Sequence, residues 1–382
     1  MHIAMALFGD LRSDFRVYRE AAALRQAGHT VSVVAAVRRT DLPALWDDFD
    51  LHLLHAPTTG SLRRDYPRFW RWASARLRAL PADVYHAHDL DALWPASRAA
   101  GMRGVPLVYD SHELWTEQSS LVGPGRRGVR AFWSLLERHT VRRAHRVLTV
   151  CSSIARELED RYDLPEVAVL RNLPPRRQPV PGQRLRQTLG LTSDRPLFLY
   201  QGGFLTANGL SEQIAAMCRV DNADLVLLGD GPTEASLRAQ VENAHLGDRV
   251  HFVPRVPFDE LHEYTCSADV GLSLLRPTGA SGRFSLPNKL FEYLQAGLPV
   301  IGADTPEIRQ VLESTGAGVV VDATDPEAIG AALRSLRDDE SRRAELAAAA
   351  RRAAPDYCWE GEAPRLLEIY AGLERNPERG AV

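Results

Sequence analysis

Lysine is almost missing from this chain: of its 46 basic residues 45 are arginine, and Lys289 alone carries an ammonium group. Acid and base nearly balance, and a net charge of -3 excludes the general affinity for nucleic acid that an excess of cations would confer. Cysteine is scarce too. Cys151, Cys218, Cys266 and Cys358 are widely scattered, with no Cys-x-x-Cys pair, which excludes a zinc ribbon, a redox dithiol motif and a disulfide framework. Reduced thiols and a cytoplasmic setting are the expectation. No apolar run approaches the length of a membrane span, and the chain opens on a strand-like HIAMALF rather than a leader.

What is present describes a soluble α/β protein. At 382 residues the chain exceeds one ordinary core and fits two domains of about 150 to 190 residues. Residues 1–172 carry 24 basic and 20 acidic groups and 173–382 carry 22 and 29, so the halves differ in sign. Apolar runs at 2–8, 30–37, 83–87, 105–109 and 146–150 read as buried strands separated by helix-compatible sequence. The proline-rich LPPRRQPVPGQRL then suits an extended connection. After it the pattern restarts, with strands expected at 197–201, 224–228, 249–253, 269–274, 299–303 and 317–321. Two doubly wound, Rossmann-like domains follow from this, an N-terminal one over 1–174 and a C-terminal one over 191–357. Residues 175–190 form the expected linker, 358–375 a closing helix, and 375–382 a disordered polar tail.

The segment SLPNKLFEYLQAGLPVIGAD, Ser285 to Asp304, carries the most chemistry. Ser285 is the expected N-cap, Pro287 suits the first turn, and Gly297 with Pro299 supplies the stop. Lysine is a compact, flexible point charge where arginine is a rigid fork. Free amides at a helix start with Lys289 in its first turn make an anion site. Glu292, one turn beyond Asn288, is in reach of a sugar hydroxyl. The plainer reading is a surface Lys289–Glu292 pair. Ligands of open α/β sheets sit beyond the carboxyl ends of the strands. The loops Gly202-Gly203, Gly229-Asp230-Gly231-Pro232 and Pro254-Arg255-Val256-Pro257 therefore join the candidate set, each being a simple turn if taken alone.

LFEYLQAGLPVI resembles the second half of the Glu-x7-Glu motif of family-4 retaining glycosyltransferases, and LVLLGDGP and RVHFVPRVP resemble its C-terminal signature. DVYHAHDLDAL and VPLVYDSHE resemble its acceptor-side strands and the loop with its active-site histidine, and YCWE its element crossing back to the first domain. The resemblance, over nearly the whole chain, implies the GT-B fold, in which two Rossmann-like domains face a central cleft. It implies sugar transfer from a nucleoside-diphosphate sugar, UDP or GDP, to a small-molecule, glycan or lipid-linked acceptor, with retention, no metal and no other cofactor. By it, Glu292 binds the donor ribose, and the segment Leu286, Pro287, Asn288 and Lys289 holds the diphosphate through the amides around it. His112 and Lys289 are then the catalytic candidates. Gly9 and Arg16 join Gly202, Gly203, Gly229, Arg255, Val256 and Ser285 on the donor side, while Arg12, His88, Asp110 and Glu113 face the acceptor.

Three positions depart from the family pattern. The first glutamate of Glu-x7-Glu falls at Phe284, and the usual Arg and Lys of the glycine loop fall at Gly203 and Asn208. These losses shift the diphosphate charge onto Lys289, with Arg283 or Arg16, and leave open a non-catalytic sugar-nucleotide module; a nucleotide-sugar 2-epimerase shares the fold, but carboxylates converging near the C-terminal motif are scarce. Asp89-Leu90-Asp91 beside His86 and His88 reads as a helix N-cap or a metal motif. LRRDYPRFWRWASARLRAL, 62–80, reads as an amphipathic helix turning its aromatics inward, or as a peripheral contact with the inner membrane face.

Overall fold

The computed structural model describes residues 1–375 except Ser13, Thr40, 56–61, 119–120, 122–124, 181 and 192–193, and gives Leu62 and Arg63 as backbone only. The chain divides into one unit of Met1–Asn172 with Glu362–Val382 and a second of Leu173–Gly361. Residues 376–382, and with them the expected tail, lie outside the described residues, and Arg375 ends a helix.

The first unit holds β1 (His2–Phe8), β2 (Thr30–Val37), β3 (Asp50–His55), β4 (Val84–His88), β5 (Leu107–Ser111), β6 (Arg146–Thr149) and β7 (Ala168–Val169). They form one parallel sheet in the order β3-β2-β1-β4-β5-β6-β7. Runs such as TVSVVAAV are buried on both faces, which is why they read as continuous apolar stretches rather than alternating ones. Chain order reverses between β1 and β4, so the loops after these two strands flank the switch point where such sheets bind ligands.

The second unit repeats the plan with β8 (Leu197–Gln201), β9 (Asp224–Leu228), β10 (Val250–Val253), β11 (Val270–Ser273), β12 (Val300–Ala303) and β13 (Gly318–Val321). Their order is β10-β9-β8-β11-β12-β13, and the switch point falls beside the Gly202-Gly203 loop that follows β8. The stretch expected to be a linker belongs to this unit and carries a helix, Arg184–Leu189. The closing helix, Trp359–Arg375, starts in the second unit, where the Trp359 amide donates to the Pro174 carbonyl at 2.8 Å. From Glu362 onward it belongs to the first unit, where Leu366 and Tyr370 are fully buried.

Candidate active site

In the second unit the helix bearing the lysine runs Asn288–Gln295, two residues later than a Ser285 cap would start it. Ser285 does not cap it. Ser285 closes a preceding helix, Gly279–Phe284, and Pro287 takes the N-cap place in extended conformation with no side-chain bond. Buried Leu286 anchors the link between the two helices. The amides at the head of the helix thus lack a capping side chain, the state in which they best receive an anion. Asn288 is exposed beside them.

Lys289 is not half of a surface pair. Its Nζ lies 3.9 Å from the ring centroid of Tyr200, near the end of β8, in a cation–π contact. Burial pushes its pKa down from 10.5 to about 7, against an opposing pull from Glu292. Gly202 leaves the room for it: its φ is +130°, and a Cβ there would fall 3.2 Å from Nζ. Glu292 is held from below, its Oε2 accepting from Gln201 Nε2 at 2.5 Å while Gln201 Oε1 accepts from Thr265 Oγ1 at 2.8 Å.

The places where the family carries cations are filled by neutral bonds. Asn208 Nδ2 and Tyr200 Oη both donate to the Gly203 carbonyl at 2.7 Å and latch the loop. Phe284 carries Arg283 over its ring at 5.6 Å. Gly229 serves the backbone first: at φ +147° its Cβ would fall 2.0 Å from the Gly202 carbonyl oxygen, so only glycine lets these two loops touch. Arg255 is exposed and forks onto Asp230 at 2.8 Å, and Val256 is half-buried.

In the first unit, register brings the chemistry together. β4 sets His88 opposite Asp110 of β5, and His86 lies two residues earlier on the same face. His86 and His88 stack at 4.2 Å, and His88 Nδ1 lies 3.3 Å from Asp110 Oδ2. His112 Nε2 lies 2.9 Å from the same oxygen, and its Nδ1 lies 3.3 Å from Asp89 Oδ2. Burial works against the His112 imidazolium, but Asp89 and Asp110 outweigh it and hold the pKa up at about 10. Asp89 is not an N-cap. His88 holds that place on the helix Asp89–Arg103, and Asp89, at φ +60°, accepts the His112 amide at 3.0 Å.

Arg16 was expected over the donor phosphates, and it is instead 2% exposed. Its Nε and Nη2 both donate to Asp110 at 2.7 Å, its Nη1 donates to the Leu170 carbonyl at 2.8 Å, and Nε lies 3.0 Å from Glu20 Oε1. With every nitrogen engaged in the core, it has none to offer a ligand. His88 and Asp110 are likewise buried, so neither reaches an acceptor; both act on His112. Glu113 is half-buried and accepts from Gln118 at 2.9 Å, Arg12 is partly exposed against Asp41, and Gly9 is open to a small side chain.

Sequence reasoning missed Glu20 and Tyr370. Glu20 follows Arg16 by one helical turn, and its pKa is pushed up to about 8 by burial and by Asp110. Tyr370 Oη lies 2.8 Å from His86 Nδ1 and ties the closing helix to the histidines. The ligand atoms of Glu20, His86, His88 and Asp110 lie within 4.8 Å of one another, as a metal site would require. Arg16 already lies against both carboxylates, so their charge is met by a guanidinium. Asp91, buried behind Trp70, is no part of that group.

The profile described as "Glycosyl transferases group 1" matches residues 182–353, and that described as "Glycosyltransferase Family 4" matches 15–173. A D-inositol 3-phosphate glycosyltransferase of Xylanimonas cellulosilytica is 28% identical over 346 residues, covering 85% of this chain and 78% of that protein. A GDP-mannose-dependent alpha-(1-6)-phosphatidylinositol monomannoside mannosyltransferase of Mycolicibacterium smegmatis is 27% identical over 315 residues, 75% of this chain and 77% of that one. Among solved structures, the sucrose-phosphate synthase of Thermosynechococcus elongatus superposes with a TM-score of 0.84 at 19% identity, over 98% of this chain and 99% of that one. With each half matched by its own profile and the double-sheet architecture shared throughout, the chain belongs to the family-4 glycosyltransferases of the GT-B fold.

Proposed function

We propose that this glycosyltransferase moves a sugar from a UDP or GDP donor to the hydroxyl of a small-molecule, glycan or lipid-linked acceptor, with retention and without a metal ion. The observation that carries the reading is the chain's single lysine, held against Tyr200 beside a glycine loop at an uncapped helix start. In the reaction the bond from the anomeric carbon to the diphosphate breaks, and negative charge develops on the departing oxygen. Lys289, the backbone N–H groups of Leu286, Asn288 and Lys289, and the helix terminus stabilise that charge. Glu292, steadied by Gln201, takes the ribose hydroxyls. Guanine as the base is favoured by the Mycolicibacterium smegmatis relative, whose name makes it GDP-mannose-dependent.

His112 stands beside the transferred sugar in this reading, and its geometry narrows its role. Both ring nitrogens face carboxylates, and the imidazolium persists to about pH 10. Such a ring has no lone pair with which to take a proton. The acceptor proton therefore passes to the leaving phosphate oxygen while the new bond forms on the same face of the sugar. His112 contributes a fixed positive charge.

A thermal-shift panel of nucleotides and nucleotide sugars tests the donor, since a ligand that binds only the folded state raises the melting temperature. UDP or GDP compounds should stabilise the wild type and lose most of that effect in Lys289→Met. Equal stabilisation of both proteins removes the lysine from the site. Proton NMR of the product reads the anomeric configuration, and inversion defeats the same-face step. Activity abolished by a chelator and restored by magnesium defeats the metal-independent reading.

A further inference from the structure

A cavity of about 370 Å³ lies on the first unit between the helix Leu62–Ala79 and the helix Asp89–Arg103. The donor and His112 chemistry uses none of its lining. Two indoles form its apolar wall, Trp70 and Trp94, with ring centroids 5.2 Å apart. Three guanidiniums rim it, Arg71, Arg78 and Arg98, all on exposed residues. None of the three has an acidic partner among the described residues: Arg98 lies over the Trp94 ring at 5.1 Å, and Arg78 donates to the Ser74 carbonyl within its own helix. The Ser74 hydroxyl, also in the lining, is buried with no hydrogen-bond partner.

Three guanidiniums without a carboxylate, gathered around one hollow whose wall also carries an unpartnered hydroxyl, make a place for an anion. The planar fork suits phosphate, and Ser74 offers a further donor. A free phosphate would account for the cations but not for their surroundings. Trp70 also touches Phe132, at 6.4 Å between centroids, on the neighbouring helix Arg127–Val141, where Phe132 is 51% and Leu135 70% exposed. Beside the cavity, across Trp70, there is thus exposed apolar surface that a small soluble anion would leave in water. Arg71 and Arg78 are two helical turns apart, about 10 Å along the axis, a spacing that meets neighbouring groups on a surface rather than one small ion. Indoles and long arginine stems are suited to the layer where lipid headgroups meet acyl chains.

We propose that this face docks on an anionic lipid surface, with neighbouring lipid phosphates met by Arg71, Arg78 and Arg98 and the Phe132–Leu135 shelf resting at the level of the upper acyl chains. The contact is peripheral, since no helix among the described residues is long and apolar enough to cross a membrane. It stands independently of the donor reading.

Flotation of the full chain with phosphatidylcholine vesicles, with and without added phosphatidylglycerol, tests it. Binding should require the anionic lipid and weaken as salt rises. The double variant Arg71→Glu, Arg78→Glu should lose at least tenfold in partitioning, because each basic residue near such a surface is worth roughly fivefold. Phe132→Ser with Leu135→Ser should weaken it as well. Circular dichroism melts of each variant show that the fold survives. Partitioning equal on neutral and anionic vesicles, or unchanged in the charge-reversed variant, overturns the proposal. So does a third result, in which inorganic phosphate or glycerol phosphate quenches the tryptophans but anionic vesicles do not bind, since the hollow is then a soluble-anion site.

Discussion

Lys289 should take up a proton when donor binds. Burial holds its pKa at about 7 in the free protein. A diphosphate against the ammonium raises it, since an adjacent opposite charge favours the charged form. The phosphates of a nucleotide sugar are diesters that do not titrate between pH 6 and 8, so the lysine is the group that moves. At pH 8 about a tenth of free Lys289 is protonated, and binding takes up about 0.9 of a proton; at pH 6 about nine tenths is already charged and uptake falls to about 0.1. The sign is fixed by linkage: the favourable term is fully present below the free-state pKa and is lost as pH rises through the value in the complex. Affinity should therefore fall about tenfold between pH 6 and pH 8. Calorimetry in two buffers of different ionisation enthalpy measures the uptake directly, and Lys289→Met should abolish both uptake and pH dependence. Heats that do not depend on the buffer at pH 8 would show that the ammonium is either already charged or remote from the phosphates.

Gly203→Arg returns a cation to the glycine loop at a position where a new Cβ would meet only Leu205, at 3.7 Å; donor affinity should rise about tenfold, the worth of one charge-assisted bond, as read by titration. Arg16→Met should cost about 3 to 5 kcal/mol in denaturant melts, because it leaves Asp110 buried without its guanidinium, and the added change Asp110→Asn should recover part of that loss. His112, raised to about 10, keeps its charge below that value, so a limb of the kcat profile belonging to it should fall near pH 10 and be absent in His112→Gln; a limb near pH 6.5 that vanishes in the same variant would show an ordinary imidazole.

What could be read from the sequence divides along local and non-local lines. Strands such as TVSVVAAV declared themselves because both faces are buried, and the periodic helices between them fixed the doubly wound plan. β3, DLHLLH, passed unnoticed: it is an edge strand, half-buried along most of its length, so it offers no continuous apolar run. Ser285 looked like a cap because serine often is one, but the helix ahead of it claims that residue as its own end. Lys289 stood out by composition alone. Its partner Tyr200 could not, since that contact depends on how the helix Asn288–Gln295 packs against the sheet.

Arg16 shows the limit most clearly. A polar residue in the first turn of a helix reads as surface, and so does Glu20 one turn later, yet both are buried. Nothing local reverses that reading. The reversal comes from Asp110, 94 residues away, which β5 delivers beneath the helix through its pairing with β4. Burying a lone guanidinium would be prohibitive; one that forks onto a carboxylate and a backbone carbonyl is held, and in turn it keeps Asp110 ionised for His112. The residue expected to grip phosphate thus acts one step back, fixing the charge of the carboxylate that orients the histidine. Positions of this kind are visible only when register is known, because their function is a property of the sheet rather than of the segment that carries them.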